Sequence, residues 1–271
     1  MSTNLINRTG QPGTAVALND ERWRQAAAEF LEREPEVSSS YLSTKGGVFR
    51  VGDDELGTEI CVVIADAIRE NTFYEGRYNP DEQNAPKCYA FGRSDDEMIP
   101  HETMQKHPDY FVPQAETCGK CDWNKWGSAA QGAGKACQNR RRLALLPAGV
   151  YGEDANGRTL DIYDTPEHYA SADQVTLKLS VTSVKNWSKY VKKIADTTGR
   201  PPYGVITRIF ITPDGDDQFH INFEMVEPLP DELFDTIQAR HEQIGPTMAK
   251  AYTPPSEDGG PKRGAGRVKR R

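Results

Sequence analysis

Four cysteines, Cys88, Cys118, Cys121 and Cys137, constrain this chain more than any other feature. Cys118 and Cys121 form a C-x2-C pair within Thr117-Cys118-Gly119-Lys120-Cys121. Two intervening residues let a tight turn aim both sulfurs at one point, and Gly119 is expected to ease that turn. Cys137 follows after fifteen residues, a separation common between the halves of a zinc ribbon, and Cys88 precedes the pair by twenty-nine. The spacing predicts a tetrahedral four-thiolate site for structural zinc. Such a site leaves no open position for water, so it folds a loop and does not catalyse. His101 or His107 in place of Cys88 is the alternative fourth ligand, and an iron–sulfur cluster the alternative metal. Cys61, inside an apolar run, reads as a small buried hydrophobe.

The residues between and after the ligands give the site a character. From Cys118 to Arg142 there are six basic residues (Lys120, Lys125, Lys135, Arg140, Arg141 and Arg142) against one acidic residue, Asp122, with Trp123 and Trp126 interleaved. Cations neutralise phosphates and flat rings stack on unpaired bases, so the pattern suits single-stranded nucleic acid. The plainer reading packs both tryptophans under the loop and leaves the arginines as a solvated strand face. Phe73, Tyr74, Arg77 and Tyr78 form a second aromatic–basic cluster, with Tyr74 and Arg77 the candidates to extend a binding groove.

Charge is uneven along the chain. The net charge of -7 includes six basic and no acidic residues in the last ten, from Lys262 to Arg271. The remainder carries 27 basic against 40 acidic residues. A Gly-containing cationic end on an acidic body reads as a flexible tail, over 253–271, that binds a polyanion or folds back on its own surface. Residues 1–19 read as a disordered N-terminus without the basic and apolar regions of a secretory signal. No stretch approaches the roughly 18 apolar residues of a bilayer span, so a cytoplasmic protein with no membrane partner is expected.

The intervening 20–252 reads as a single domain. Residues 20–33 have the spacing of an amphipathic helix. Strand-like runs occupy Val48–Val51, Ile60–Ile64, Lys87–Phe91, Arg140–Leu146 (stopped by Pro147) and Val175–Val181. Gly152 to Asp164 suggests a loop or hairpin. Ser183 is placed to cap a helix through Ala195, Pro213-Asp214-Gly215-Asp216 to join two strands, and Asp231 to begin a last helix. These elements predict an α+β, mostly β fold, in which an oligonucleotide-binding (OB-like) barrel carries a zinc insertion at about 88–137 and flanking helices.

Signals for catalysis are weak. Gly127 to Lys135 reads GSAAQGAGK, but Ala129 stands where a phosphate-binding loop needs its first glycine and Ala136 where it needs Ser or Thr. Five scattered histidines make no zinc-hydrolase or deaminase motif, and Asp53, Asp54 and Glu55 read as a solvated turn.

Several runs resemble a group of phage-encoded, zinc-containing single-stranded DNA-binding or replication-accessory proteins. They are Tyr74-Glu75-Gly76, Pro86-Lys87-Cys88-Tyr89-Ala90, Cys118-x2-Cys121, Gly127-Ser128-Ala129, Gly134-Lys135-Ala136-Cys137 and Asn139-Arg140-Arg141-Arg142 through Pro147. The resemblance covers residues 70–150 well and extends loosely to 230. It implies single-stranded DNA binding in phage replication or recombination, without catalysis. Single-strand binders of this kind usually end in an acidic, partner-recruiting tail, whereas this chain ends Arg267-Val268-Lys269-Arg270-Arg271. Replication or transcription proteins of host or phage are the expected partners of such a tail. A zinc module that docks on a host polymerase is the competing function.

Overall fold

The computed structural model describes residues 40–76, 85–130, 132–155, 157–215 and 218–254. The helix expected at 20–33, Arg77, Tyr78 and the basic tail lie outside them. The described residues belong to one unit that begins at Ser39.

Ten strands form one mixed sheet: β1 (Ser40–Ser43), β2 (Phe49–Val51), β3 (Asp54–Gly57), β4 (Glu59–Phe73), β5 (Cys88–Gly92), β6 (Cys137–Asp154), β7 (Gly157–Ile162), β8 (Val175–Leu179), β9 (Val205–Asp214) and β10 (Gln218–Pro228). Their order is β10-β9-β4-β6-β8-β1-β2-β3, with β5 also on β4 and β7 also on β6. Only β1 and β8 run parallel among these pairs. No pairing joins the end strands β3 and β10 among the described residues, so the sheet is not a closed barrel there. Among the described residues three helices accompany it, α1 (Pro166–Ser171), α2 (Val184–Thr198) and α3 (Phe234–Ile244). The chain is thus α+β and mostly β, and no described helix is long and apolar enough to cross a membrane.

Both faces of the sheet are covered. Side chains alternate along a strand, so β4 feeds two cores. Val62 and Ile64 join Leu143, Leu145, Leu177 and the α2 residues Trp187, Tyr190 and Ile194 on one face. Cys61, Val63 and Ile68 join Ala144, Leu146 and the α3 residues Ile237 and Ile244 on the other. This double burial explains the unbroken apolar run at Ile60–Ile64.

β4 and β6 are far longer than their apolar runs suggest. β4 continues to Phe73 through Asp66, Arg69, Glu70 and Asn71, polar residues that hide a strand from pattern reading. β6 runs straight through Pro147, which pairs with Val62 beside a register shift between Cys61 and Val62. Proline is tolerated at such irregularities because the missing N–H costs no regular ladder bond. Ser183 does not cap α2 with its side chain. A 3-10 turn over Val181–Ser183 precedes the helix, and the Ser183 hydroxyl instead accepts the N–H of Ile221 at 3.0 Å.

Glu70 and Arg142 form a buried ion pair on the α3 face, 0% and 2% exposed, with Nη2 to Oε1 at 2.6 Å. Arg142 Nη1 donates to the carbonyls of Met248 (3.2 Å) and Lys250 (3.0 Å), and its guanidinium lies 4.2 Å above the Phe91 ring. The Tyr252 hydroxyl donates to Glu70 at 2.5 Å. The pair therefore fastens the segment after α3 onto the sheet. Burial pushes the Glu70 carboxyl up, but the hydrogen bond and charge of Arg142, aided by Lys178 and Tyr252, hold it below the usual carboxylate range.

Arg142→Ala, which strands a buried carboxylate, is expected to lower unfolding free energy by about 3–5 kcal/mol in urea titrations. It should also open the Met248–Tyr252 segment to proteolysis. Because the folded pKa of Glu70 is depressed, its stabilisation is present above the unfolded value of about 4.3 and is lost as pH falls through the folded value. Acid titration of Glu70→Gln should lack that component.

Candidate metal centre and nucleic-acid surface

The register of three strands gathers the cysteines. Phe73, the last residue of β4, pairs with Cys88 at the start of β5 and with Cys137 at the start of β6. Directly opposed residues of antiparallel strands point to the same face, so Cys88, Phe73 and Cys137 stand side by side at one end of the sheet. The C-x2-C loop closes over them. Its position is held by Cys118 N–H donating to Met98 O (2.8 Å) and by Asn124 Nδ2 donating to Cys118 O (2.8 Å). Within the turn, Lys120 N–H donates to Thr117 O and Cys121 N–H to Cys118 O. Gly119 takes no left-handed conformation, so the turn does not depend on it; Gly127 and Gly132 in the following loop do.

All four thiols line one cavity of about 20 Å³, with Asn71, Phe73, Gln114, Thr117 and Asn124 around them. That volume holds one ion or water and nothing larger. Burial pushes the Cys137 thiol up to about 12, and the neighbouring Cys118, Cys121 and Cys88 add to the rise. Cys88 is pushed up to about 11 by burial, offset in part by the N–H of Gln114 and reinforced by Cys118 and Cys121. Burial raises Cys118 too, against a hydrogen bond from Asn71. Raised in this way the thiols keep their protons at neutral pH, and a bound metal would invert the effect by deprotonating its ligands. Among the described residues, no three His, Cys, Asp or Glu side chains already stand as a ligand cluster.

Neither alternative ligand lines this cavity. His101 stacks on Tyr89 and shares a 2.8 Å hydrogen bond with Thr103, and His107 packs edge-on against Phe111. Cys61 is buried within β4, where burial pushes its thiol up to about 11.

A polar chain surrounds the thiols. Lys135 Nζ donates to Asn124 Oδ1 (3.1 Å) and Asn139 Oδ1 (2.9 Å), and Asn139 Nδ2 donates to Asn71 Oδ1 (2.7 Å). Lys135 also lowers the Cys137 pKa, so part of its charge already serves the thiolates. Spacing gives no hint of Asn71, Asn124 or Asn139, because their roles exist only once β4, β6 and the loop meet.

The aromatic residues divide. Trp123 is 42% exposed, stacks on Phe73 at 5.0 Å and donates its indole N–H to Gln114 (3.0 Å). Trp126 is 79% exposed, and Lys135 Nζ lies 6.0 Å from its ring. Neither ring is packed away beneath the loop. Lys125 is exposed and paired with Asp122 at 2.6 Å.

The arginine run is not one patch. Strand alternation puts Arg140 and Arg142 on the α3 face and Arg141 on the other. The expectation that Arg142 holds phosphate is corrected, because its guanidinium is inside the protein on Glu70. Arg140 is half-buried, donates to Gln138 and lies near Tyr74. Tyr74 is likewise half-buried, and burial raises its pKa. Strand alternation thus turns Arg140 to the face opposite Asn139, the partner of Lys135.

The chain matches no protein-family model, and the curated proteins and the solved structures yield no match.

Asn71→Leu, which leaves the half-buried Asn139 amide without its acceptor, is expected to cost about 1–3 kcal/mol. Urea unfolding monitored through tryptophan fluorescence measures it.

Proposed function

We propose that this chain is a non-catalytic single-stranded DNA-binding protein of a phage replication or recombination system, acting in the host cytoplasm, with structural zinc on Cys88, Cys118, Cys121 and Cys137. The exposed Trp126 carries the reading. A lone exposed ring is ordinary, but an exposed apolar patch is informative, and Trp126 stands in the same loop as the 42%-exposed Trp123 with Lys125 next to it in sequence and Lys135 6.0 Å from its ring. Stacking on unpaired bases contributes about 1–3 kcal/mol per base and tolerates any sequence.

Zinc supplies charge compensation for the thiolates and closure of the loop; the loop in turn holds both rings at the end of the sheet. The OB-like part of the reading is supported by β4, which pairs with β9 at one end and β5 at the other, and by β6, which pairs with β8 and then β7, because strands that change partner along their length let a sheet curve. The basic residues 262–271 add sequence-independent affinity for the strand or recruit replication or transcription proteins. Exposed tryptophan also serves as a protein-binding anchor, which keeps a docking module for a host polymerase as the second reading.

Titration of the metal-replete protein with oligo-dT at two salt concentrations tests the proposal. Tight binding that weakens steeply with salt and quenches tryptophan emission is expected. Trp126→Ala should weaken it about 10- to 100-fold. No binding at low salt would sink the reading, and retention of a host protein after nuclease treatment would favour the second. Native mass spectrometry should show one zinc per chain, absent from Cys137→Ser and kept in His101→Ala and His107→Ala. Chelation should weaken DNA binding while far-ultraviolet circular dichroism keeps its strand signature.

A further inference from the structure

Arg69 on β4 lies directly opposite Arg141 on β6. Their side chains share the face that carries Asn71 and Asn139 one row on, and Phe73 and Cys137 a row beyond. Like charges opposed across a ladder are destabilising unless something neutralises them. Asp95, on the loop after β5, pairs with Arg69, but its side chain is 95% exposed. Arg141 makes no ion pair among the described residues, and its Nη1 donates at 2.9 Å to the Arg140 carbonyl. Burial and the charge of Arg69 lower the pKa of Arg141, and Asp95 only partly offsets them. The solvated Asp95 carboxylate is thus the one anion these two guanidiniums have among the described residues, and it offsets their repulsion only in part.

We infer that Arg69 and Arg141 together seat a backbone phosphate of the bound single strand. The inference rests on the single-stranded DNA reading and gives it a path. Guanidinium groups fork onto phosphate oxygens with two N–H donors each, which suits a pair better than a lone cation. Arg69 and Phe73 are four residues apart on β4, about 13 Å at the usual rise. One strand laid along β4 would meet the arginines, then the Asn71–Asn139 row with Lys135, then the Trp123 and Trp126 rings. Asp95 occupies Arg69 in competition with the phosphate and yields because it is solvated. Arg69 carries no motif in sequence, and only its register partner marks it out.

Oligo-dT titrations across a salt series separate this inference from the reading beneath it. Arg69→Gln, Arg141→Gln and the double variant are expected to weaken binding. Each should also lower the slope of log affinity against log salt by about 0.7 for every phosphate it no longer neutralises. The quench from Trp126 should persist at saturation. Asp95→Asn, at an exposed site that leaves folding intact, should tighten binding about two- to fivefold. Inorganic phosphate should compete with oligo-dT more weakly against the double variant than against the parent protein. Wild-type slope and affinity in the double variant, with no gain in Asp95→Asn, would overturn the arginine seat while leaving single-strand binding in place. Absence of oligo-dT binding by the parent protein would overturn both.

Discussion

Strands β4 and β6 pair from Cys61 opposite Gly149 to Phe73 opposite Cys137, and nearly everything else in the molecule is positioned by that ladder. Its register decides which side chains face α2 and which face α3. A one-residue slip would exchange the faces, turning Glu70 and Arg142 away from the segment that covers them and carrying Cys137 away from Cys88. The two register shifts, between Cys61 and Val62 and between Ile64 and Asp66, are part of this arrangement. They let a strand buried on both faces change its alternation before its polar half begins.

Two charged clusters follow from the ladder, and they differ in kind. Glu70 and Arg142 are sealed from water and held by each other, by Tyr252 and by backbone carbonyls, although Glu70 Oε2 and Arg142 Nε find no hydrogen-bond partner. Such a pair contributes little net stability over apolar packing but punishes the loss of either member. Arg69 and Arg141, on the opposite face, are only half-buried and share one solvated carboxylate. The contrast explains how adjacent arginines in sequence take unrelated roles: Arg142 is a structural fastener, while Arg141 stays available to a ligand.

The zinc reading and the nucleic-acid reading meet in the loop between β5 and β6. This stretch has two short 3-10 turns, Glu102–Lys106 and Asp122–Asn124, and its first half is held by burial of Met98, Met104 and Phe111, whereas of the residues around Cys118–Asn124 only Cys121 is buried. Anchors at its ends matter correspondingly more. Cys88 and Cys137 are such anchors on the sheet, and Cys118 and Cys121 bring the loop to them. In the proposed function the metal positions rings that would otherwise have no reason to stay at the surface.

The sequence alone carried the local information. Short-range spacing marked the C-x2-C pair, the apolar runs of β4 and β6, the turn between β9 and β10, and a loop without period, because each of these depends on neighbours along the chain. Cys88, separated by twenty-nine residues from the pair, was legible only as a candidate beside His101 and His107. The sheet register put Cys88 in the cavity. It was also tertiary structure that extended β4 and β6 through charged residues and a proline, since paired partners from distant segments supply what the local pattern lacks. The same cause split the Arg140–Arg142 run between two faces and brought Arg69 to Arg141. Side-chain direction in a strand is set by the partner strand, and no local pattern encodes which partner that will be.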